Sequence, residues 1–275
     1  PGGIDSLYSE GVLVGDSAYV TWGPGNIDVD PMFVDTANGN YHLLASSQLI
    51  NAGDPDSTDS DGSRADMGAY PYLNSYSGPT WYITESGNDT TATGATDDPF
   101  RSIQAGINFS SDADSVTVAA GTYVENINFR GRNIKVVGED RETTIIDGNQ
   151  NGSVVTFDSS EDSTSLLSGF TITNGNALEA GGVLCVTYSS PTLENLIISN
   201  NHAPNGGGGI TLKDNSNAII RNAIIGNNTC SGNGGGIYTL TSDPVLSNVI
   251  VENNTTTGSG GGIYAENSSF TLDSV

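Results

Sequence analysis

A unit of 26 to 27 residues recurs along the second half of this 275-residue chain. Its landmarks are a Gly-Gly-apolar tripeptide, a short β-rich run and an Asn pair. The tripeptide stands at Gly181-Gly182-Val183, Gly208-Gly209-Ile210, Gly235-Gly236-Ile237 and Gly261-Gly262-Ile263, at steps of 27, 27 and 26. Asn174-Gly175 opens the second series, followed by Asn200-Asn201, Asn227-Asn228 and Asn253-Asn254. A fixed period of this size specifies a solenoid, whose units bury their apolar faces only by stacking on neighbours.

The run Leu193-x-x-Leu196-x-Ile198-x-x-Asn201 also fits a leucine-rich repeat. Such a repeat follows its strand with a helical or 3₁₀ segment. Here the remainder of each unit reads Gly-Gly-Ile-Tyr-Thr-Leu-Thr-Ser-Asp-Pro (235–244) or its equivalent. Paired Gly, β-branched residues and Pro oppose a helix and suit a second strand between turns. Each unit is therefore expected to be one coil of a parallel β-helix, built as strand, turn, strand, turn.

Strand alternation assigns the inward side chains. Val183, Ile210, Ile237 and Ile263 are expected to stack, with Cys185, Leu212 and Thr239 two places on. Leu196, Ala223 and Val249 form a second column, and Ile198, Ile225 and Val251 a third. Carried on, the same parity places Asn200, Asn227 and Asn253, with Asn174 before them, in a structural column of amides bonded from coil to coil. The Gly pairs are assigned to tight backbone turns.

These motifs resemble the right-handed parallel β-helix proteins of the pectate-lyase-like superfamily, above all large bacterial surface proteins. Trp81-Tyr82-Ile83-Thr84, then Pro99-Phe100-Arg101-Ser102-Ile103-Gln104-Ala105-Gly106-Ile107, resembles the start of such a domain. Asp114-Ser115-Val116-Thr117-Val118 and Gly121-Thr122-Tyr123-Val124-Glu125-Asn126-Ile127 continue it. Phe100, Ile103 and Ile107 at helical spacing predict a short capping helix near 100–109. Residues 26–70 instead resemble the far end of a β-helix. The matching residues run from Asn26-Ile27-Asp28-Val29-Asp30-Pro31-Met32-Phe33 through Tyr41-His42-Leu43 and Ile50-Asn51-Ala52-Gly53-Asp54 to Asp61-Gly62-Ser63-Arg64-Ala65-Asp66-Met67-Gly68-Ala69-Tyr70. The expected organisation is a β-helix ending over 1–72, a linker and entry loop over 73–98, and the first part of a second β-helix over 99–275. Pro1 follows no initiator Met, and the last unit stops at Val275 before its Asn position, so both ends are expected to expose an uncapped coil. Tail-then-head order predicts self-association of β-helix ends, between chains or along a tandem chain.

Eight basic residues against 32 acidic give a formal net charge of −24. That excludes a nucleic-acid partner and disfavours anionic polysaccharide without a bridging cation. No run of residues is long and apolar enough for a membrane-spanning helix. The acidity, with abundant Ser, Thr, Asn and Gly, suits an extracellular location. Cys185 points inward and Cys230 sits in a bend, an arrangement that disfavours a bridge.

The residues offer little chemistry. Lys213 and Arg221 are the only basic residues from 181 to 275, and no carboxylate cluster faces them. His42 and His202 are isolated. Arg130, Arg132, Lys135 and Arg141 lie near Glu139, Asp140 and Glu142, a pattern of solvated salt bridges. Asp54, Asp56, Asp59, Asp61 and Asp66 crowd one loop, which suits Ca²⁺ or else a turn in which Arg64 pairs with one Asp. An outward column of Ile197, Ile224 and Ile250, with Tyr238 and Tyr264 on another strand, suggests a covered lateral face. The expected function is a structural or adhesive extracellular protein without catalysis. The alternative is a carbohydrate-active enzyme or polysaccharide-binding module, as the superfamily resemblance implies.

Overall fold

The computed structural model describes residue 27 and residues 29–275. Asn26 and Asp28 of the ending-like motif, and residues 1–25, lie outside the described residues. From Thr80 onward the chain winds as a parallel β-helix of about six turns, with three sheets running along its axis.

The first face stacks Thr80–Ile83, Ser115–Val118, Lys135–Gly138, Leu166–Ser168 and Thr192–Glu194. It continues through 219–221 and 245–247 to Thr271–Asp273. The second face stacks Gly121–Val124, Thr144–Asp147, Thr171–Thr173 and Ile197–Ser199 on 224–226 and 250–252. The third runs from Ile127–Asn128 through Val155–Phe157, Val183–Cys185, Ile210–Lys213 and Ile237–Leu240 to Ile263–Glu266. Short bridges His202–Ala203, Thr229–Cys230 and Thr255–Thr256 close the bend between the second and third faces.

The expected columns are present in register. Val183, Ile210, Ile237 and Ile263 pair from coil to coil, as do Ile198, Ile225 and Val251. All but the half-buried Val251 and Ile263 at the far end belong to one continuous core, which includes the fully buried Phe129 and Phe157, whose ring centroids lie 4.1 Å apart.

Two expectations about the coil need correction. Each regular coil carries three strands and a short bridge, not two strands. Leu193 and Leu196 are both fully buried because Asn195 between them takes a left-handed φ of 52° and turns a corner. That residue shifts the inward parity by one place. The same shift recurs at Asn200, Asn227 and Asn253, with φ of 59°, 57° and 53°. These asparagines are exposed at the bend, and the ladder belongs to the next residue: the buried Asn201 and Asn228 and the half-buried Asn254. Asn201 N donates to Asn228 Oδ1 at 3.0 Å, and Asn228 N to Asn254 Oδ1 at 3.0 Å. The amides also bond one another, at 3.1 and 3.0 Å. Asn174, with φ of 56°, donates its amide to Asp147 at 2.8 Å and stands outside that ladder.

The Gly pairs also serve another purpose than tight turning. Gly181, Gly208 and Gly235 lie outside the positive-φ region, but a Cβ on Gly208 would stand 2.5 Å from both Gly235 O and Thr229 O. They let adjacent coils approach.

At the head of the solenoid a helix, α1 (Ile103–Phe109), covers the first coil. Phe100, Ile103 and Ile107 are fully buried, as their spacing predicts. The first rung, Thr80–Ile83, falls inside the segment read as linker and entry loop. Residues 29–72 contribute an antiparallel pair, Phe33–Asp35 with Asn40–Leu43, and no parallel rung among the described residues.

Candidate functional site

The five loop aspartates diverge. Asp54 accepts from Asp56 N at 2.9 Å and Asp59 from Asp66 N at 3.0 Å. Asp61 accepts from Ser63 N at 3.0 Å and Asn74 N at 2.8 Å. Asp66 accepts from Asn51 N and Tyr72 N, each at 2.7 Å. Burial pushes the Asp66 carboxyl above its ordinary value, helped by the charges of Asp59 and Asp61. No group of three or more His, Cys, Asp or Glu side chains converges to hold a metal among the described residues. Of the carboxylates read as calcium ligands, Asp54 and Asp61 cap local turns, whereas Asp59 and Asp66 tie more distant backbone N–H groups. Arg64 pairs with none of them in the structure, and instead donates from Nε at 2.9 Å and Nη2 at 2.5 Å to Gly53 O.

The isoleucine column is real in register, Ile197 beside Ile224 beside Ile250. Ile197 and Ile224 are half-buried, whereas Ile250 is 52% exposed. Beside it lies a groove of about 550 Å³ lined by Arg141, Glu194, Asn195, Asn222, Asn248 and Ile224, among others. The corner asparagines run along it, and Asn248 Nδ2 donates to Asn222 Oδ1 at 2.8 Å. Glu194 is held by Arg221 at 3.1 Å, and Arg141 Nη1 reaches Asn222 O at 3.2 Å. Tyr238 and Tyr264 stack at 5.7 Å and 5°. Tyr238 is nonetheless buried, with Lys213 Nζ 5.7 Å from its ring centroid, and Tyr264 is half-buried.

A second constellation, invisible in the sequence, lies at the head. Leu43, Ala45, Ser47 and Ile50 are buried, and Ala45 belongs to the core of the β-helix. The buried Asn108 amide, on α1, donates to Ala45 O at 2.9 Å and Ser47 O at 2.8 Å. Ala45 N returns a bond to Asp89 O at 2.7 Å, and Asn51 Nδ2 donates to Asn108 O at 3.2 Å. Arg130 donates from both Nη atoms to Ile50 O at 3.2 Å and from Nη1 to Asn108 Oδ1 at 2.6 Å. Arg132 donates to Ser110 O at 2.9 Å and Asn108 O at 3.1 Å. Both guanidinia lie at the C-terminal end of α1, where the helix dipole favours cations. Solvated salt bridging is thus replaced by staples to carbonyl oxygens. Burial and the charge of Arg132 pull Arg130 down to about 9; burial pulls Arg132 down to about 10. Tyr72, Trp81, Phe100 and Phe109 pack in tilted and stacked pairs around the same joint.

Two carboxylates grip the other end of α1. Asp89 accepts from Arg101 N at 2.8 Å and Ser102 N at 3.2 Å, and Glu125 from Ile103 N at 2.8 Å and Gln104 N at 3.0 Å. Burial pushes the Glu125 carboxyl up to about 7; the two N–H bonds oppose this, and the Asp89 charge adds to it. The folded head therefore holds this proton more tightly than the unfolded chain does. Stability from this group is greatest in acid and is lost as pH rises through about 7. The melting temperature is expected to fall from pH 5.5 to pH 8, and Glu125→Gln to flatten that fall. An unchanged pH profile in the variant would remove Glu125 as its cause.

Residues 105–274 match the family described as the right-handed β-helix region, and the chain belongs to that family. No curated protein matches it. Among solved structures, pectin methylesterase from carrot is similar at 15% identity with a TM-score of 0.37, over 69% of this chain and 66% of that one. The chain thus spans just under two thirds of that enzyme. No helix among the described residues is long and apolar enough to cross a membrane.

Proposed function

We propose that this chain is a non-enzymatic structural or adhesive protein of the cell exterior, in which β-helix units join head to tail into a long fibre. The joint lies within a tandem chain or between chains. One observation carries this reading: a segment that resembles the ending of a β-helix is seated on the first coil of the next, through the buried Asn108 amide. A rigid joint of that kind suits a load-bearing rod better than a pair of loosely tethered domains. The net charge of −24 supports an exterior setting, where salt screens self-repulsion.

A second reading rests on the corner groove. Its amides from Asn195, Asn222 and Asn248, beside Ile224 and Ile250, would suit a polysaccharide strand lying along the axis. Electron microscopy separates the two. Straight fibres with a coil rise of about 4.8 Å support the rod. Dispersed monomers that cleave a polyuronate would overturn it in favour of an enzyme.

A further inference from the structure

The polar contacts from the head of the β-helix fall mainly on main-chain atoms of its neighbour. Asn108 and Arg130 address the carbonyls of Ala45, Ser47 and Ile50, and Asp89 O receives the Ala45 N–H. Side chains add the buried Ala45, which joins the β-helix core, the Asn51 amide on Asn108 O, and Tyr72 against Phe109; Leu43 and Ile50 are buried beside them. Arg130 and Arg132 form no ion pair among the described residues. Of the segment's charges, Arg64 acts against both guanidinia and Asp66 favours the charge of Arg130. Residues 73–79, which join the segment to the first rung, contain neither helix nor strand.

We propose that the head of the β-helix is a socket, formed by Asn108, Arg130 and Arg132, that holds the 43–52 segment non-covalently and accepts the same segment from a second copy of this chain. This rests on the head-to-tail reading above and names the group of atoms that makes the joint. Backbone recognition is what permits exchange, because every copy presents the same carbonyl row.

The test uses the full chain with a specific protease site inserted after the exposed Ser75, cut once the protein has folded. The amino-terminal fragment is expected to co-elute with the β-helix on size exclusion. Ile50→Asp, which places a charge in the apolar seat, is expected to weaken retention by about 100-fold. Asn108→Ala should weaken it less, and circular dichroism of the β-helix should persist in both. Mixing cut protein with an isotope-labelled cut copy should yield hybrid complexes in native mass spectrometry. Release of the wild-type fragment on cutting, or equal retention by wild type and Ile50→Asp, would overturn the socket. Retention without hybrids would overturn exchange between copies. Straight fibres from uncut protein whose fragment is released on cutting would sink the socket alone; a retained fragment without fibres would sink the rod alone.

Discussion

Asn228→Ala is expected to destabilise the protein by about 3 kcal/mol, because the side chain is a fully buried bond carrier between coils. Its Oδ1 accepts from Asn201 N at 3.0 Å and Asn201 Nδ2 at 3.1 Å. Its Nδ2 donates to Ile198 O at 2.9 Å and Asn254 Oδ1 at 3.0 Å. Alanine leaves the Asn201 N–H without an acceptor in a corner closed to water. A buried orphan of that kind costs about 1–3 kcal/mol, and the lost amide volume adds to it. The preceding Asn227 is exposed and contributes only its tolerance of left-handed φ, so Asn227→Ala is expected to cost about 1 kcal/mol. Urea titration of the two variants measures the contrast. If Asn227→Ala proved the costlier, the buried ladder would be assigned to the wrong residue of each pair. Loss of cooperativity near coil 228 without a shift elsewhere would fit a structure whose coils contact only neighbours.

The period, the inward columns and the capping helix were legible because each leaves a repeating mark of apolar residues. The corners were not. Leu193-x-x-Leu196-x-Ile198-x-x-Asn201 interrupts strict alternation twice, and each interruption is a left-handed asparagine, Asn195 and Asn200. Strand parity cannot be carried through a residue in that conformation, so the first face was missed as a separate strand and the true amide ladder was displaced by one place. The shape of the motif held the clue: an apolar spacing of three inside a strand pattern marks a corner. The socket left no such trace. Asn108 and Ala45 are 63 residues apart, and Arg130 and Ile50 are 80 apart, with no period linking them. A basic cluster in an acidic chain reads as surface pairing until the carbonyls it serves are seen.

Gly208→Ala should be as damaging as loss of the ladder amide, although it adds one methyl to a residue with ordinary φ. The new Cβ would stand 2.5 Å from Gly235 O, 2.5 Å from Thr229 O and 2.8 Å from Thr229 N. All three are backbone atoms of the following coil, so no side chain can swing away. Relief requires the coils to separate, and that strains the bonds between them: Gly182 N to Gly208 O at 3.2 Å, and Gly208 N to Gly234 O at 3.2 Å. Overpacking costs about 1–3 kcal/mol when side chains can adapt; here the clash is with main chain, and about 3 kcal/mol or more is expected. Gly68→Ala, whose Cβ would meet only the Leu43 side chain at 3.8 Å, supplies the control and should be near neutral. Thermal melting reads both. If Gly208→Ala melted with wild type, the paired glycines would be turn residues after all. The coil spacing would then be set by the strands alone. A large loss at Gly208 with none at Gly68 instead makes close approach of coils the reason this sequence keeps two glycines in every repeat.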